Sequence, residues 1–517
     1  MIPVCDLSFQ CFLYIFVPFC TFLFAIQSQV EPRMPNFISL VDLLPLIPEL
    51  ILFLTLVVAM LADLFVPSNR RNDVLVSVSL GGIVLTMLAE LQLYGAGYTG
   101  FYGTVVADNY SILLELVYLL IGLMTILLSR HYITENEMNF GEYYILLLSA
   151  LIGMMLMSSS LELLVIFIGL EIMSISSYIL VGMKRKVPES GEAALKYLLL
   201  GAFSTGFLLY GISLLYGATG STYLPDMLQQ LRLGAVETPL ALAGIALLTI
   251  GLSFKVAIVP FHMWTPDVYQ GAPSIVTTLL STLPKIAAFG VLIRLLVYPF
   301  GEIIVDWGKI LIILSISSML IGSLGALRQT DLKRLMAYST INHIGFILMA
   351  LVPGSEDGIT AICIYLIFYL TMNLGVFLFI LNMRRDQINV TKIKDLSGLY
   401  KTEPVIAGCL AIIFFSMAGI PPLAGFIGKL LVLNIVIDNN LFFLAIIAVV
   451  TSVIAAFYYI RLIKSMFFDS PTDELDLLTN PQSKLLMTLL SFFNLTVILY
   501  PQFFLNLCAS ITLSLFA

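Results

Sequence analysis

Charge is scarce along this 517-residue chain: Asp, Glu, Lys and Arg make up 11% of it, while 60% of the residues are hydrophobic. About a quarter of a soluble domain is charged, and here the deficit runs the whole length, so no large soluble domain is hidden in it. Cysteine is thin as well. Cys5, Cys11, Cys20, Cys363, Cys409 and Cys508 are scattered without a C-x-x-C pair, which argues against an iron–sulfur or zinc site and suggests no disulfide framework. No P-loop or dinucleotide fingerprint occurs: Gly425-Phe426-Ile427-Gly428-Lys429 lacks the Walker spacing and the following Ser or Thr. The chain thus shows no motif for a redox cofactor or for nucleotide hydrolysis of its own. What it does have is a mean hydropathy of +1.02, which implies an all-α, polytopic membrane protein. The net charge of −7 says little, because charges in a membrane protein are read by location.

A helix crossing the bilayer core needs roughly 20 apolar residues. Such segments lie at 40–66, 73–95, 108–129, 142–159, 161–183, 192–217, 238–258, 274–298, 309–327, 335–352, 359–382, 404–436, 441–466 and 484–501, predicting about fourteen spans. The connections test this count through the excess of Lys and Arg in cytoplasmic loops. Loops after odd-numbered spans hold Arg70 and Arg71, Arg130, Lys184-Arg185-Lys186, then Arg328, Lys333 and Arg334. Further on they hold Arg384, Arg385, Lys392, Lys394 and Lys401, with Lys464 and Lys484 flanking the next. Loops after even-numbered spans, with the N-terminal flank, hold only Arg33, Arg232 and Lys309. The alternation puts both ends of the core outside the cytoplasm; only 259–273, expected to be cytoplasmic, carries no Lys or Arg.

Residues 1–33 stand apart. The stretch from Cys11 to Ile26 suits a fifteenth helix or a signal-peptide core, but a secretory signal wants a positive start, and no Lys or Arg precedes Arg33. The favoured expectation is that translation starts at Met34 and that 1–33 is an upstream extension.

Charges within membrane spans are costly and mark function by default. Glu171 lies about ten residues into its span, with Ser174 and Tyr178 following at i+3 and i+7 to form a narrow polar stripe. Lys196 is in the next span, Lys255 near the end of the seventh, Lys285 in the middle of the eighth, His343 in the tenth and Lys429 in the twelfth. Each has a bland reading too. Lys196, near its helix start, also reads as a lysine snorkelling to the headgroups. Lys285 has eleven residues before it from Ser274 and thirteen after it to Tyr298, too deep to snorkel. His343 reads equally as a helix–helix hydrogen-bond partner or a proton carrier. Arg294 fits snorkelling, Glu162 reads as interfacial, and Glu49, Asp63 and Glu90 read as packing or interface residues.

Two spans also carry breaks. In the seventh, Pro260 follows Lys255 and removes a backbone donor. In the twelfth, Gly419-Ile420-Pro421-Pro422 and Gly425 interrupt the segment beside Lys429. Non-helical backbone at membrane depth is tolerated where it is buried in protein or lines a wet cavity, and paired breaks point to repeats around a transport path. Lying five spans apart, they suggest repeats of spans 4–8 and 9–13, inverted because each holds an odd number; the bland reading is two unrelated proline kinks. The resulting division is 1–33, the first three spans at 34–130, one repeat at 142–298, a second at 309–466, and a last helix with its tail at 484–517. The chemistry implied is a proton relay, in which Glu171 modulates lysines that pass a proton laterally through Lys285, His343 and Lys429.

The stretch Pro260-Phe261-His262-Met263-Trp264-Thr265-Pro266-Asp267-Val268-Tyr269-Gln270-Gly271-Ala272-Pro273, followed by Lys285-Ile286-Ala287, resembles the signature of the antiporter-like membrane subunits of respiratory complex I. Val268-Tyr269-Gln270-Gly271-Ala272-Pro273 resembles the subunit N branch, which includes the mitochondrial and chloroplast-type counterparts. Gly169-Leu170-Glu171, Arg334-Leu335-Met336-Ala337-Tyr338-Ser339-Thr340-Ile341-Asn342-His343 and Asp395-Leu396-Ser397-Gly398-Leu399 support the likeness, which covers about 38–500. Residues 1–33 find no match in it.

The resemblance implies that Glu171 and Lys255 are the coupled input pair, modulated by Lys196. It makes Lys285 the central relay, His343 a further relay and Lys429 the exit residue. It implies a proton channel in the bacterial inner membrane, among neighbouring antiporter-like and small membrane subunits and with no nucleic acid. NADH, FMN, iron–sulfur clusters and quinone are expected in partner subunits and no cofactor in this chain. The alternatives are a subunit of a multisubunit Na⁺/H⁺ antiporter, or of a proton-pumping hydrogenase-type complex.

Overall fold

A computed structural model of the chain describes residues 40–516 apart from 136, 137, 139, 140, 235, 237, 386, 387, 471–474 and 476–480; the expectations for 1–33 lie outside the described residues. The chain divides into two units, Met1–Leu43 and Leu44–Ala517, and the α-helices among the described residues lie in the second.

Helices occupy all fourteen predicted segments. α1 (Ile47–Phe65), α2 (Ser68–Leu93) and α3 (Asn109–Glu135) come first, then α4 (Glu142–Ser159), α5 (Leu163–Val181), α6 (Pro188–Thr219) and α7 (Thr238–Val256). After a break follow α8 (Trp264–Gly271), α9 (Ser274–Val297), α10 (Ile304–Ala326), α11 (Leu332–Leu351) and α12 (Glu356–Asn382). The second interrupted segment is α13 (Pro404–Ala418) with α14 (Ala424–Asp438), and α15 (Phe442–Phe468), α16 (Pro481–Thr496) and α17 (Pro501–Phe516) complete the chain. Among the described residues, eleven helices are individually long and apolar enough to cross a membrane, or twelve if the bent pair α16–α17 counts as one. The broken α13–α14 segment and α11, which carries Lys333, Arg334, Asn342 and His343 among its twenty residues, fall outside that number. Among the described residues, strands are confined to two small hairpins, Tyr98–Gly100 with Val105–Ala107 and Arg384–Arg385 with Ile388–Asn389.

Burial sorts the helices. α9 is buried along its whole length and α12 nearly so, whereas α1, α2, α6 and α15 expose much of their apolar surface. Phe53, Leu64, Phe203 and Val453 are among the large side chains left outside; on a soluble protein this would invite aggregation, and in a bilayer it faces hydrocarbon or other subunits. Where helices touch, small residues let the backbones close in. A Cβ on Gly153 of α4 would lie 2.5 Å from the Gly169 carbonyl of α5, and one on Gly169 would lie 2.6 Å from the Gly153 carbonyl.

Both breaks end their helices by the same hydrogen-bond device. After α7 the amide of Ala257 donates to Phe254 O and that of Ile258 to Ser253 O; after α13 that of Gly419 donates to Ser416 O and that of Ile420 to Phe415 O. These are the paired bonds of a Schellman turn. The left-handed residue they require is Ala257 (φ +71°) in one case and Gly419 (φ +84°) in the other.

One boundary differs from its expectation. The last segment does not run as one helix over 484–501: α16 ends at Thr496, a 3₁₀ turn covers Val497–Leu499, and α17 leaves at 89°. Pro501 cannot donate to the preceding turn and disfavours helical backbone at Tyr500, which sits at φ −147°. α17 then packs back, Ser514 Oγ accepting from the Tyr110 amide and Thr512 Oγ1 from Thr360.

Candidate functional site

The polar stripe of α5 meets the end of α7. Lys255 Nζ donates to Ser174 Oγ at 2.7 Å and to Tyr178 OH at 2.9 Å. The Glu171 carboxylate, within electrostatic reach of Lys255, accepts instead from Thr205 Oγ1 of α6 at 2.9 Å. The expected input pair therefore shares one helix face in this structure without a direct ion pair.

The break after α7 frees carbonyls at the helix end, where the dipole also favours a cation. Lys285, 1% exposed on α9, uses one of them, donating to Val256 O at 3.2 Å. Its ammonium lies 5.3 Å from the Trp264 ring centroid and 5.6 Å from that of Tyr269, both on α8, a cation–π platform. The second break repeats the idea. Lys429 Nζ donates to Ala418 O, the last residue of α13, at 2.9 Å, and to Ser452 Oγ of α15 at 2.9 Å.

His343 of α11 is hydrogen-bonded at both ring nitrogens, Nδ1 with Tyr365 OH at 2.9 Å and Nε2 with Tyr459 OH at 3.0 Å. On the Lys285 side, Tyr369 OH donates to Thr340 Oγ1 at 3.0 Å and to Ser281 O, one turn before Lys285, at 3.3 Å. The His343 and Tyr369 rings are 5.5 Å apart. On the other side His343 lies within electrostatic reach of Lys429. Buried polar groups thus run from α5 through α7, α9 and α11 to α14, and the tyrosine hydroxyls that connect them had no distinguishing signal in the sequence.

Lys196 goes elsewhere. Its side chain, 43% exposed, pairs with Asp267 at 2.8 Å and with Glu192 at 2.7 Å, away from Lys255. Burial pushes the Asp267 carboxyl up, but hydrogen bonds from Lys196 and Arg334 outweigh it and leave it below its ordinary range.

One sequence reading needs correction. Arg294 does not snorkel: it is buried, and its Nη1 and Nη2 each donate at 2.9 Å to the two oxygens of Asp108. A fixed guanidinium fork matches a carboxylate better than it reaches for a distant headgroup. Of the two readings open for Glu49 and Glu90, packing is the one found: both are buried, as is Glu115, on α1, α2 and α3, and Ser159 donates to Glu49 at 3.0 Å. An acid inside Leu113-Leu114-Glu115-Leu116-Val117 was the available signal for Glu115.

Residues 160–455 match the family described as NADH:quinone oxidoreductase/Mrp antiporter, TM. The NADH-quinone oxidoreductase subunit N of Nitrosomonas europaea is 38% identical, over 91% of this chain and 98% of that protein. Among solved structures, a chain of respiratory complex I from Thermus thermophilus is 32% identical, with a TM-score of 0.77 over 90% of this chain and 100% of its own length. A chain of the Mrp complex from Dietzia sp. DQ12-45-1b, at 21% identity and a TM-score of 0.80 over 92% of this chain and 98% of that one, shares the fold. With a buried lysine at each helix break and these likenesses along nearly its full length, the chain belongs to the NADH-quinone oxidoreductase subunit N family.

Proposed function

We propose that this chain is a proton-translocating subunit of a bacterial inner-membrane NADH:quinone oxidoreductase, working beside other antiporter-like and small membrane subunits. In this reading NADH, FMN, iron–sulfur clusters and quinone act in partner subunits, and this chain contributes no redox group. The carrying observation is that each interrupted helix presents its last carbonyl to a buried lysine, Lys285 at Val256 and Lys429 at Ala418, with His343 between.

The proton state of a buried amine is set by the charges and dipoles around it. A change at Glu171 alters the field at Lys255, a proton arriving there alters the field at Lys285, and His343 passes the effect on to Lys429. Tyr365, Tyr369 and Tyr459 supply hydroxyls that both accept and donate. The amides of Asn342 and Asn373, wholly buried and without a well-formed hydrogen bond although the Tyr458 and Tyr369 hydroxyls lie near them, offer places to hold bridging water. α4–α9 and α10–α15 act as the two inverted repeats.

The test is proton pumping by membrane vesicles carrying Lys285→Ala, with NADH oxidation and assembly followed in parallel. Pumping is expected to be lost with the complex assembled; normal pumping would remove Lys285 from the path.

A further inference from the structure

α8 has two working faces. One carries Trp264 and Tyr269, the rings under the Lys285 ammonium. Trp264 is pinned there, its Nε1 donating to Phe254 O at 2.9 Å and its ring stacked 4.4 Å from that of Tyr197, the neighbour of Lys196 on α6. The other face carries Asp267. Its Oδ2 receives Lys196 of α6 at 2.8 Å and its Oδ1 receives Arg334 of α11 at 2.6 Å. Arg334 also donates to Gln270 Oε1 at 3.2 Å, and Lys333 donates to Ala272 O at 2.7 Å, just past the end of α8.

One carboxylate therefore joins a cation from 142–298 to a cation from 309–466, and it sits on the short helix that shapes the Lys285 site. We propose that Asp267 is a positioning residue: a latch between the two halves of the fold through which Lys196 acts, holding α8 and with it the ring platform of Lys285. This rests on the proton-relay reading above. Through the latch Lys196 reaches the Lys285 site without touching it, by way of Asp267. A neutral residue at 267 is then expected to do more than drop a contact. Without the negative charge, Lys196 and Arg334 face each other as like charges across the seam, and their repulsion opens what the carboxylate closed. Glu192 then keeps Lys196 for itself, at 2.7 Å on the same helix.

Protons pumped per NADH oxidised, in vesicles holding the assembled complex, would be compared for Asp267→Asn, Asp267→Glu, Lys285→Ala, Lys196→Gln, Arg334→Gln and the Lys196→Gln/Arg334→Gln pair. For Asp267→Asn the ratio is expected to fall by about threefold or more, within the range seen for coupling residues, and Asp267→Glu restores it. Because both cations act through one carboxylate, the double variant is expected to lose no more than the worse single one. Wild-type pumping by Asp267→Asn beside a dead Lys285→Ala overturns the latch and leaves the relay standing; normal pumping by Lys285→Ala overturns both. Should Asp267→Asn not assemble, the Lys196 and Arg334 variants decide: losses that simply multiply overturn the proposal. A loss in Asp267→Asn that Asp267→Glu does not restore also overturns it.

Discussion

The two helix breaks solve one problem with different parts. Each ends in a Schellman turn and each hands its last carbonyl to a buried lysine, but at the first break the lysine comes from another helix, α9, and at the second from the continuation of the same segment, α14. Aromatic rings on α8 support the Lys285 ammonium, and a hydroxyl, Ser452, supports that of Lys429. The left-handed residue is an alanine at the first break and a glycine at the second. Lys285 of α9 is thus placed by α7 and α8, which precede it directly, and Lys429 of α14 by α13, by α15 and by α11, whose Phe346 ring centroid lies 5.3 Å from its ammonium.

The largest effect is expected from the anchor of α9. Arg294→Ala leaves Asp108, 13% exposed, without its partner, and breaking a fully buried pair costs about 3–5 kcal/mol, which sets the upper bound here. The chain is expected to leave the complex at a lower temperature or denaturant dose, with pumping falling as Lys285 loses its support. The counterpart near the second break, Lys484 with Glu403 at 3.1 Å, is part-exposed, so Lys484→Gln should cost under about 1 kcal/mol in the same assay. Equal losses would erase the asymmetry.

Gly419→Ala comes next. Its Cβ would lie 2.8 Å from Lys429 Cδ, and a left-handed non-glycine residue costs about 1–2 kcal/mol, so pumping is expected to drop severalfold while the complex assembles. Ala257→Gly is the control and the smaller change. It relieves the same left-handed cost but adds about 0.5–1 kcal/mol of backbone entropy on folding, and thermal stability should scarcely move.

The smallest and most easily screened effect concerns pH. Because the Asp267 carboxyl is held below its ordinary range, the stability it contributes is present above the unfolded carboxylate value. It is lost only as pH falls through the lower folded one. Thermal midpoints of wild type and Asp267→Asn should differ at neutral pH and converge in acid, and raised salt should narrow the gap. A difference that survives strong acid would mean that charge is not what holds α8.

The helices were legible in the sequence because a bilayer asks for long apolar runs and because Pro260, Pro421 and Pro422 cannot continue the hydrogen-bond ladder. Buried lysines were legible because mid-span charge is rare by cost. Lys196 was visible as a charge, but its partner lay 71 residues away and either of two readings fitted the local pattern. Arg294 was misread for the same reason: its carboxylate is 186 residues distant. The connecting tyrosines looked like any others in an apolar chain with 23 of them, and α17 was lost because Pro501 signals a stop without indicating that a new helix begins beyond it.

By itself the sequence determined that this chain is helical and membrane-bound, where the helices beside Lys255 and Lys429 break, and that Lys255, Lys285, His343 and Lys429 lie deep, since those follow from local backbone chemistry and the cost of burying charge. Only the tertiary structure decided what each group touches: Ser174 and Tyr178 for Lys255, a freed carbonyl for Lys285, two hydroxyls for His343 and a shared carboxylate for Lys196 and Arg334. Hydrogen bonds and ion pairs act over a few ångströms in space, and a folded chain brings distant residues that close without leaving a mark in their spacing.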